Sequence, residues 1–451
     1  MLAMLEVAAV FCALIASRFL NFHFISHANN DDEGSVWVRS LLFTGATFAC
    51  TMAFGLYSAR QRARTVGILI RVVASVGAGV AITAVGFYLN PHLWIGRSVL
   101  AIAGLLVIAI MLILRLGFSR LADDTPFKRR VIVYGAGRRA VPIAALRRSS
   151  DLRGFVLVGF VQPPGEEVAL PAERLVHADG MLLDLCAQHE VDEIVVAMDE
   201  RRDAFPIREL LDCRLAGIDV IEPSTFLERE TGRVRIDVLN PSWLIFGEGF
   251  RRGSVRLQSA RVLDLLAASA LLILTCPLMV ATALAIKLDD GWRSPIFFKQ
   301  ERVGFGGRIF GLLKFRSMCV DAEAGGQALW AQKNDSRVTR VGAVIRKLRI
   351  DELPQILNVL KGEMGLVGPR PERPEFVKQL AERIPYYVER LSVKPGITGW
   401  AQLCYPYGSS EQDALEKLQY DLYYIKNHNL LFDIAILVQT AEVVLMGKGA
   451  R

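Results

Sequence analysis

Between residues 294 and 402 the chain concentrates positive charge, glycine and proline around one pair of adjacent carboxylates. One cluster reads Phe297-Phe298-Lys299-Gln300-Glu301-Arg302-Val303-Gly304, followed by Leu313-Lys314-Phe315-Arg316-Ser317-Met318. A second reads Ile345-Arg346-Lys347-Leu348-Arg349-Ile350-Asp351-Glu352-Leu353-Pro354-Gln355. A third, Gly365-Leu366-Val367-Gly368-Pro369-Arg370-Pro371, is joined later by Lys394-Pro395-Gly396-Ile397-Thr398-Gly399-Trp400. The chemistry these residue types suit is phosphoryl transfer. A diphosphate substrate carries anionic oxygens that must be neutralised as charge moves onto the leaving phosphate. Arginine does so with planar, bidentate donors, which makes Arg302, Lys314, Arg316, Arg346 and Arg370 candidates. A carboxylate can attack phosphorus to give an acyl phosphate, and a second can help hold a magnesium ion. Asp351 and Glu352 diverge by about 100° on a regular helix, so each could take one of these tasks. Spacing alone leaves other readings open. Asp-Glu at a helix start suits the dipole, isolated arginines are commonly solvated, Gly-Pro-Arg-Pro makes a rigid turn, and Trp400 fits a core or a membrane interface.

The elements that must carry this region point to a membrane. Of 451 residues, 52% are hydrophobic, and mean hydropathy is +0.32. The net charge of +7 suits nucleic acid, a membrane surface or a phosphate-rich substrate. No nucleic-acid module or basic run with interleaved aromatics is present, which favours the last two. The seven cysteines form no C-x-x-C pair, so reduced cytoplasmic thiols are expected rather than zinc or disulfides. The start of the chain lacks the basic region and cleavage site of a signal peptide.

Apolar stretches at 2–20, 41–57, 66–89 and 99–118 each approach the length needed to cross a bilayer, with a buried soluble helical bundle as the alternative. Arg71 interrupts the third near one end, where a snorkelling side chain is expected. His27, Asp31, Asp32 and Glu33 follow the first span; Arg60, Arg62 and Arg64 follow the second; Arg120, Lys128, Arg129 and Arg130 follow the fourth. By the positive-inside tendency, the N-terminus and everything after residue 120 lie in the cytoplasm.

Residues 131–225 read as α/β, with strands at 131–134, 155–161, 193–197 and 217–221. A Gly135-Ala136-Gly137-Arg138-Arg139-Ala140 turn follows the first strand, as in Rossmann-like domains. Gly135 and Gly137 make it a weak nucleotide candidate, with Arg138 and Arg139 near any phosphate bound there. The second strand ends in Val161-Gln162-Pro163-Pro164, without the acidic residue a dinucleotide ribose needs. A structural, regulatory or dimerising role is therefore favoured for residues 120–250. Residues 262–286 are apolar again, but Arg251, Arg252, Arg256 and Arg261 precede them and Lys287, Arg293 and Lys299 follow. Basic residues on both flanks, with Pro277 inside, predict a re-entrant helix broken at the proline; a proline-kinked span is the alternative.

Over about residues 256–451 the sequence resembles the bacterial sugar transferases, monotopic polyprenyl-phosphate phosphoglycosyl transferases. The resemblance rests on Gln300-Glu301-Arg302-Val303-Gly304, Lys314-Phe315-Arg316-Ser317-Met318, Asp351-Glu352-Leu353-Pro354-Gln355, Asn358-Val359-Leu360-Lys361-Gly362, Gly368-Pro369-Arg370-Pro371 and Lys394-Pro395-Gly396-Ile397-Thr398-Gly399-Trp400, in that order. Tyr420-Asp421-Leu422-Tyr423-Tyr424-Ile425 and the final Lys448-Gly449-Ala450 add to it. The N-terminal half resembles the large subtype, found among exopolysaccharide-initiating members.

The implied fold is a membrane protein, α plus α/β. It has four transmembrane helices over 1–119, a Rossmann-like cytoplasmic domain over 120–250, and a re-entrant helix with a mostly helical catalytic domain over 251–451. The implied reaction moves a sugar-1-phosphate from a UDP-sugar to undecaprenyl phosphate and releases UMP, through a phosphosugar held on Asp351. Glu352 is implied as a catalytic partner and Mg2+ ligand. Arg302, Lys314, Arg316, Arg346, Pro369, Arg370, Lys394, Thr398 and Gln402 are the expected substrate-binding residues. Membrane lipid and a second copy of the chain are expected partners, nucleic acid is not, and the bacterial inner membrane is the expected location. Cys276 stands before Pro277 where smaller members often have Ser, so the break rests on the proline. Two other function classes share parts of this pattern. A membrane-bound nucleotide-sugar dehydratase or epimerase needs a Tyr-x-x-x-Lys pair, whereas Lys426 follows Tyr423 too closely. A non-enzymatic scaffold would use the basic region for lipid headgroups.

Overall fold

The structure is a computed structural model that describes residues 2–24, 36–57, 65–89, 96–122, 128–146, 151–152, 154–176, 180–200, 205–238, 253–319, 337–405, 408 and 410–445. The chain divides into two units, Met1–Val238 and Leu239–Arg451.

The first unit begins with four long helices: α1 (Leu2–Phe24), α2 (Val36–Ala53), α3 (Thr65–Leu89) and α4 (Arg97–Ala122). Each contains a stretch long and apolar enough to cross a membrane. They pack α1 on α4 and α2 on α3, around Val10, Leu14, Phe43, Val72, Val76, Val107 and Met111. Helix α2 begins earlier than the apolar run at 41 because Arg39 belongs inside the bundle, where it is buried. Arg71 also departs from expectation. It is only 5% exposed and sits with Val72, Ser75 and Val76 on the packed side of α3, rather than snorkelling. A charge at such a position is kept by facing other helices rather than lipid. Glu6 of α1 and Arg115 of α4 form a buried ion pair at 2.8 Å. Tyr57 donates to the same carboxylate, and Arg115 donates to the carbonyl of Leu56 at 2.8 Å. The loop charges used for orientation, at 27–33 and 60–64, lie outside the described residues.

The α/β part has strands β1 (Arg129–Tyr134), β2 (Phe155–Val161), β3 (Glu193–Val196) and β4 (Asp219–Ile221), close to the expected positions. All described pairings are parallel, in the order β2-β1-β3-β4. Alternate side chains feed opposite faces, as a strand requires. Ile132, Tyr134, Ile194 and Val196 meet α6 (Leu182–Gln188) and α7 (Ile207–Leu215). Val131, Val133 and Val195 meet α5 (Val141–Ala144) and α8 (Pro223–Thr231). Both faces are covered, which explains why these strands read as continuous apolar runs.

The second unit opens with α9 (Ser254–Asp290), which holds Pro277 in its interior. The helix runs through the proline without interruption, so the expected break is at most a bend within one helix. An antiparallel hairpin follows, β5 (Phe297–Val303) with β6 (Ile309–Phe315). Then come α10 (Arg340–Lys347), a 3-10 turn at Ile350–Glu352, α11 (Gln355–Lys361) and β7 (Gly365–Val367). After α12 (Pro374–Arg383) and a 3-10 segment at Tyr387–Ser392, β8 (Gly396–Thr398) pairs in parallel with β7. Helices α13 (Trp400–Cys404), α14 (Glu411–Asn427) and α15 (Leu430–Leu445) complete a mostly helical unit. Its core joins Ile356, Val359, Met364, Leu366, Trp400, Tyr420 and Tyr424 to Ala268 of α9. Trp400 is thus a core residue, packed edge-on against Phe432 at 5.2 Å.

Both ends of α9 stand on this unit. Arg261 donates to the carbonyls of Val359 and Leu360 at 2.6 and 2.8 Å, satisfying the open end of α11. At the far end, Asp290 accepts from Arg316 at 2.7 Å, and Ile286 packs with Phe315 and Ile345. Between these feet, Ile273, Leu274, Leu278 and Val280 are exposed.

Candidate active site

The paired carboxylates are presented by a forced turn. Helix α10 is capped by Thr339, whose hydroxyl accepts from the Gly342 amide at 2.9 Å. The helix ends at Leu348, and Arg349 adopts a left-handed conformation with φ of 59°. A non-glycine residue there costs of order 1–3 kcal/mol and persists where its surroundings fix it. The chain reverses into the 3-10 turn, which buries Asp351 to 9% exposure. Asn358, fully buried on the following helix, locks the turn to the hairpin. Its amide donates to Gly311 O at 2.8 Å and to Glu363 at 2.7 Å, and its oxygen accepts from Leu313 N at 3.0 Å.

Glu352 is heavily paired. Its Oε1 meets Arg370 Nη2 at 2.9 Å, Lys314 Nζ at 3.2 Å and Arg349 Nη1 at 3.7 Å. Burial alone would raise its pKa, but Arg370 first, then Lys314 and Arg349, hold the carboxyl well below the usual range. Asp351 is the opposite case. Its buried Oδ1 accepts no hydrogen bond among the described residues. Burial, then the neighbouring Glu352 charge, raise its pKa, while Lys314, Arg346 and Arg349 pull it back. One carboxylate is saturated by cations; the other is desolvated, close to cations and has an open oxygen.

Arg370 reaches Glu352 from the Gly368-Pro369-Arg370-Pro371 loop. A Cβ on Gly368 would lie 2.3 Å from the carbonyl of Lys394, and one on Gly396 would lie 2.1 Å from the Gly368 amide. The loop therefore needs glycine where the two backbones touch.

Of the expected site residues, the structure gathers Asp351, Glu352, Lys314, Arg346 and Arg370. The others have different partners. Arg302 donates to Gln300 at 2.6 Å and to the Pro371 carbonyl at 3.0 Å. Arg316 is buried and pairs with Asp290. Pro369 accepts from the Gly396 amide at 3.0 Å. Lys394 lies by Arg261 and Asp264; burial first, then Arg261, lower its pKa. The Thr398 hydroxyl shares a hydrogen bond with Thr440 at 2.7 Å, and Gln402 is exposed on α13. None of these three meets Asp351 or Glu352 in the described contacts. Arg349, Asn358, Arg390 and Asp421 are additional residues that hold the site. Arg349, Asn358 and Asp421 stand in the sequence motifs quoted above, but the sequence does not show their partners, and Arg390 stands in none of them.

The turn at Gly135 and Gly137 is filled by the chain itself. Glu166 accepts from the amides of Ala136 and Asp199 at 2.7 and 2.8 Å. Asp199 accepts from the amides of Arg138 and Arg139 at 2.7 and 2.8 Å. The amides that would hold a phosphate are thus satisfied by carboxylates of the chain itself.

No group of three or more metal-ligating side chains occurs among the described residues. The cations on Glu352 all meet its Oε1, and with so few protein carboxylates a magnesium ion there fits only if it is shared with substrate oxygens rather than caged by protein alone.

Comparison with known proteins gives the same region a lineage. Residues 255–447 match the family model described as "Bacterial sugar transferase". A "UDP-N-acetylgalactosamine-undecaprenyl-phosphate N-acetylgalactosaminephosphotransferase" of Aeromonas hydrophila is 47% identical over 244 residues, 54% of this chain and 56% of the relative. A "UDP-glucose:undecaprenyl-phosphate glucose-1-phosphate transferase" of Xanthomonas campestris pv. campestris is 32% identical over 71% of this chain and 68% of its own length. An "Undecaprenyl-phosphate galactose phosphotransferase" of Salmonella typhimurium is 29% identical over 72% of this chain and 70% of the relative. The chain therefore spans only a little over half the length of the Aeromonas relative. The family match runs through every residue of the Asp351 cluster and the Xanthomonas match extends across most of both chains, so the chain belongs to the bacterial sugar transferase family.

Proposed function

We propose that the chain transfers a hexose-1-phosphate from a UDP-sugar to undecaprenyl phosphate and releases UMP. The observation that carries this reading is the unpaired, buried Oδ1 of Asp351 beside a cation-saturated Glu352. The carboxylate of Asp351 attacks the phosphorus that bears the sugar. The bond from that phosphorus to the bridging oxygen breaks, and UMP leaves with the electron pair. An acyl phosphate joins Asp351 to the sugar phosphate. A phosphate oxygen of the lipid then attacks the same phosphorus, freeing Asp351 and forming polyprenyl-diphospho-sugar. Lys314, Arg346 and Arg370 neutralise the diphosphate as charge moves to the leaving group. A magnesium ion held by Glu352 and substrate oxygens would supply further neutralisation.

The feet of α9 support a re-entrant placement. Arg261 and Asp290 are both bonded to the same catalytic unit, while the apolar residues around Pro277 are exposed between them. Bent at Pro277 rather than broken, a helix so anchored dips its apolar middle into one leaflet while both ends stay on the same side, keeping the site at the inner membrane face with water-borne UDP-sugar on one side and lipid phosphate on the other. The relatives carry glucose, galactose and N-acetylgalactosamine in their names, and a hexose donor is the class they share. A role at the start of exopolysaccharide synthesis is the corresponding physiological proposal.

The test is donor-only labelling. Full-length protein in nanodiscs, given a panel of UDP-sugars without lipid acceptor, should release one UMP per site and gain a phosphohexose on the Asp351 peptide by mass spectrometry. UMP release without any adduct would refute the covalent route. No release with any donor would refute the transfer reading.

A further inference from the structure

The loop that delivers Arg370 contains two prolines, which have no amide proton to anchor it. Beyond the Gly368 amide, which donates to Thr398 O at 2.9 Å, its fixation comes through its carbonyls. Four successive carbonyl oxygens each accept a hydrogen bond. Pro369 O accepts from Gly396 N at 3.0 Å, and Glu372 O accepts from Val303 N at 2.9 Å. The two between them are held by guanidinium groups: Arg370 O by Arg390 Nη2 at 3.0 Å, and Pro371 O by Arg302 Nη1 at 3.0 Å.

Neither arginine is placed as a solvated substrate hook. Arg390 is 7% exposed, from the 3-10 segment at Tyr387–Ser392. Its Nη2 also donates to Asp421 of α14 at 2.9 Å, and its Nη1 donates to the Tyr387 hydroxyl at 2.7 Å. The guanidinium lies 5.1 Å from the Tyr387 ring centroid, which fixes its plane. Arg302 is oriented by Gln300 at 2.6 Å and by Glu372 at 3.6 Å. A buried, paired arginine is a costly way to stabilise a fold, because its desolvation offsets most of the attraction. It is an effective way to fix a backbone whose prolines cannot donate.

We propose that Arg390 and Arg302 are positioning residues that clamp the Arg370 and Pro371 carbonyls and thereby aim the Arg370 guanidinium at Glu352. This reassigns Arg302 from phosphate binding to loop fixation and gives Arg390 a role in the reaction. The proposal rests on the transfer reading above.

A double-mutant cycle tests it, with full-length protein in nanodiscs and the single-turnover rate of UMP release as readout. A displacement of the loop by about 1 Å can cost about 100-fold, so Arg390→Gln should slow that step by about that factor. If Arg390 acts through Arg370, the pair Arg370→Ala with Arg390→Gln should be no slower than Arg370→Ala alone. The same non-additivity is expected for Arg302→Gln. Arg390→Lys keeps a cation facing Asp421 but lacks the fork, so it should give no rescue. Should Arg390→Gln lose its cooperative melting transition, Arg390→Lys enters the same cycle in its place. Losses that multiply in the double mutants overturn the clamp, as does a folded Arg390 variant within about threefold of wild type. A wild-type chain that releases no UMP overturns the transfer reading instead.

Discussion

Asp351→Asn should abolish transfer and make the protein more stable at neutral pH. The substitution keeps the shape of the side chain and removes its charge. Burial first and the Glu352 charge second raise the pKa of Asp351 above its ordinary value, and Lys314, Arg346 and Arg349 only partly oppose them. A raised carboxyl pKa means that the folded state favours the proton. Its contribution to stability is present below the unfolded pKa and is lost as pH rises through the folded one. At neutral pH the ionised group, with Oδ1 unbonded, is therefore a cost to the fold. A buried charged group lacking one hydrogen bond costs about 1–3 kcal/mol. The attraction of the three nearby cations is also lost in the variant, which places the net gain near the lower end, about 1 kcal/mol. For a unit of this size that is a rise of about 2–4 °C in melting temperature. The assay is thermal unfolding in nanodiscs at pH 7.5 and at pH 4, beside UMP release. The gain should appear at pH 7.5 and shrink toward pH 4, as wild-type Asp351 takes up its proton. A variant that melts at or below wild type at pH 7.5 would refute the open-carboxylate reasoning, and an active one would remove the nucleophile.

Arg370→Ala removes the 2.9 Å bond to Glu352 but leaves Lys314 and Arg349 on the same oxygen, so UMP release should fall about 100- to 1000-fold with a melting change of only a few degrees. Asp433, buried and accepting from Tyr424 at 2.8 Å near Asp264 and Arg256, has its carboxyl pushed up to about 7, chiefly by burial. Stability of the catalytic unit should therefore fall between about pH 4 and 7, and Asp433→Asn should flatten that slope in pH-dependent melting curves. Because Glu166 and Asp199 occupy the Gly135 turn, saturating NAD or a nucleoside diphosphate should leave the melting temperature of an Asp351→Asn chain unchanged within about 1 °C, once UMP controls for the catalytic site. A cysteine-accessibility scan over 253–258 and 291–296 should find both ends of α9 on one membrane face; labelling from opposite faces would exclude the re-entrant placement.

The strands around Val131, Phe155 and Glu193 were legible because parallel strands buried on both faces are written as short apolar runs. Asp351, Glu352, Lys314, Arg346 and Arg370 were legible because phosphoryl chemistry calls for carboxylates among cations. What the sequence hid was the partner of each arginine. Arg302, Arg316 and Arg370 look alike in a local window, yet folding gives the first a proline carbonyl, the second Asp290 and the third Glu352. The left-handed turn at Arg349 was equally hidden, since arginine has no preference for that conformation and tertiary contacts impose it. Glu166 and Asp199 were missed at the Gly135 turn because a glycine pattern shows which amides are free to bind an anion, not which distant carboxylate reaches them first.

The adjacency of the two carboxylates acquires its meaning from the turn. A 3-10 segment advances about 120° per residue, so neighbouring side chains face different surroundings. Two unpaired carboxylates at this distance would repel until one took a proton, and a protonated acid is a poor nucleophile. Two fully paired ones would have no lone pair free to attack. Here three cations saturate Glu352, so its charge weighs less on Asp351, and the open oxygen of Asp351 is left to react. The strained Arg349 serves both sides of this division. Its backbone forms the turn that separates the two side chains, and its guanidinium is one of the cations on Glu352. A substitution at 349 that kept the turn but lost the charge would leave Arg370 and Lys314 on Glu352, so the turn, more than the third cation, is what sets the two carboxylates apart.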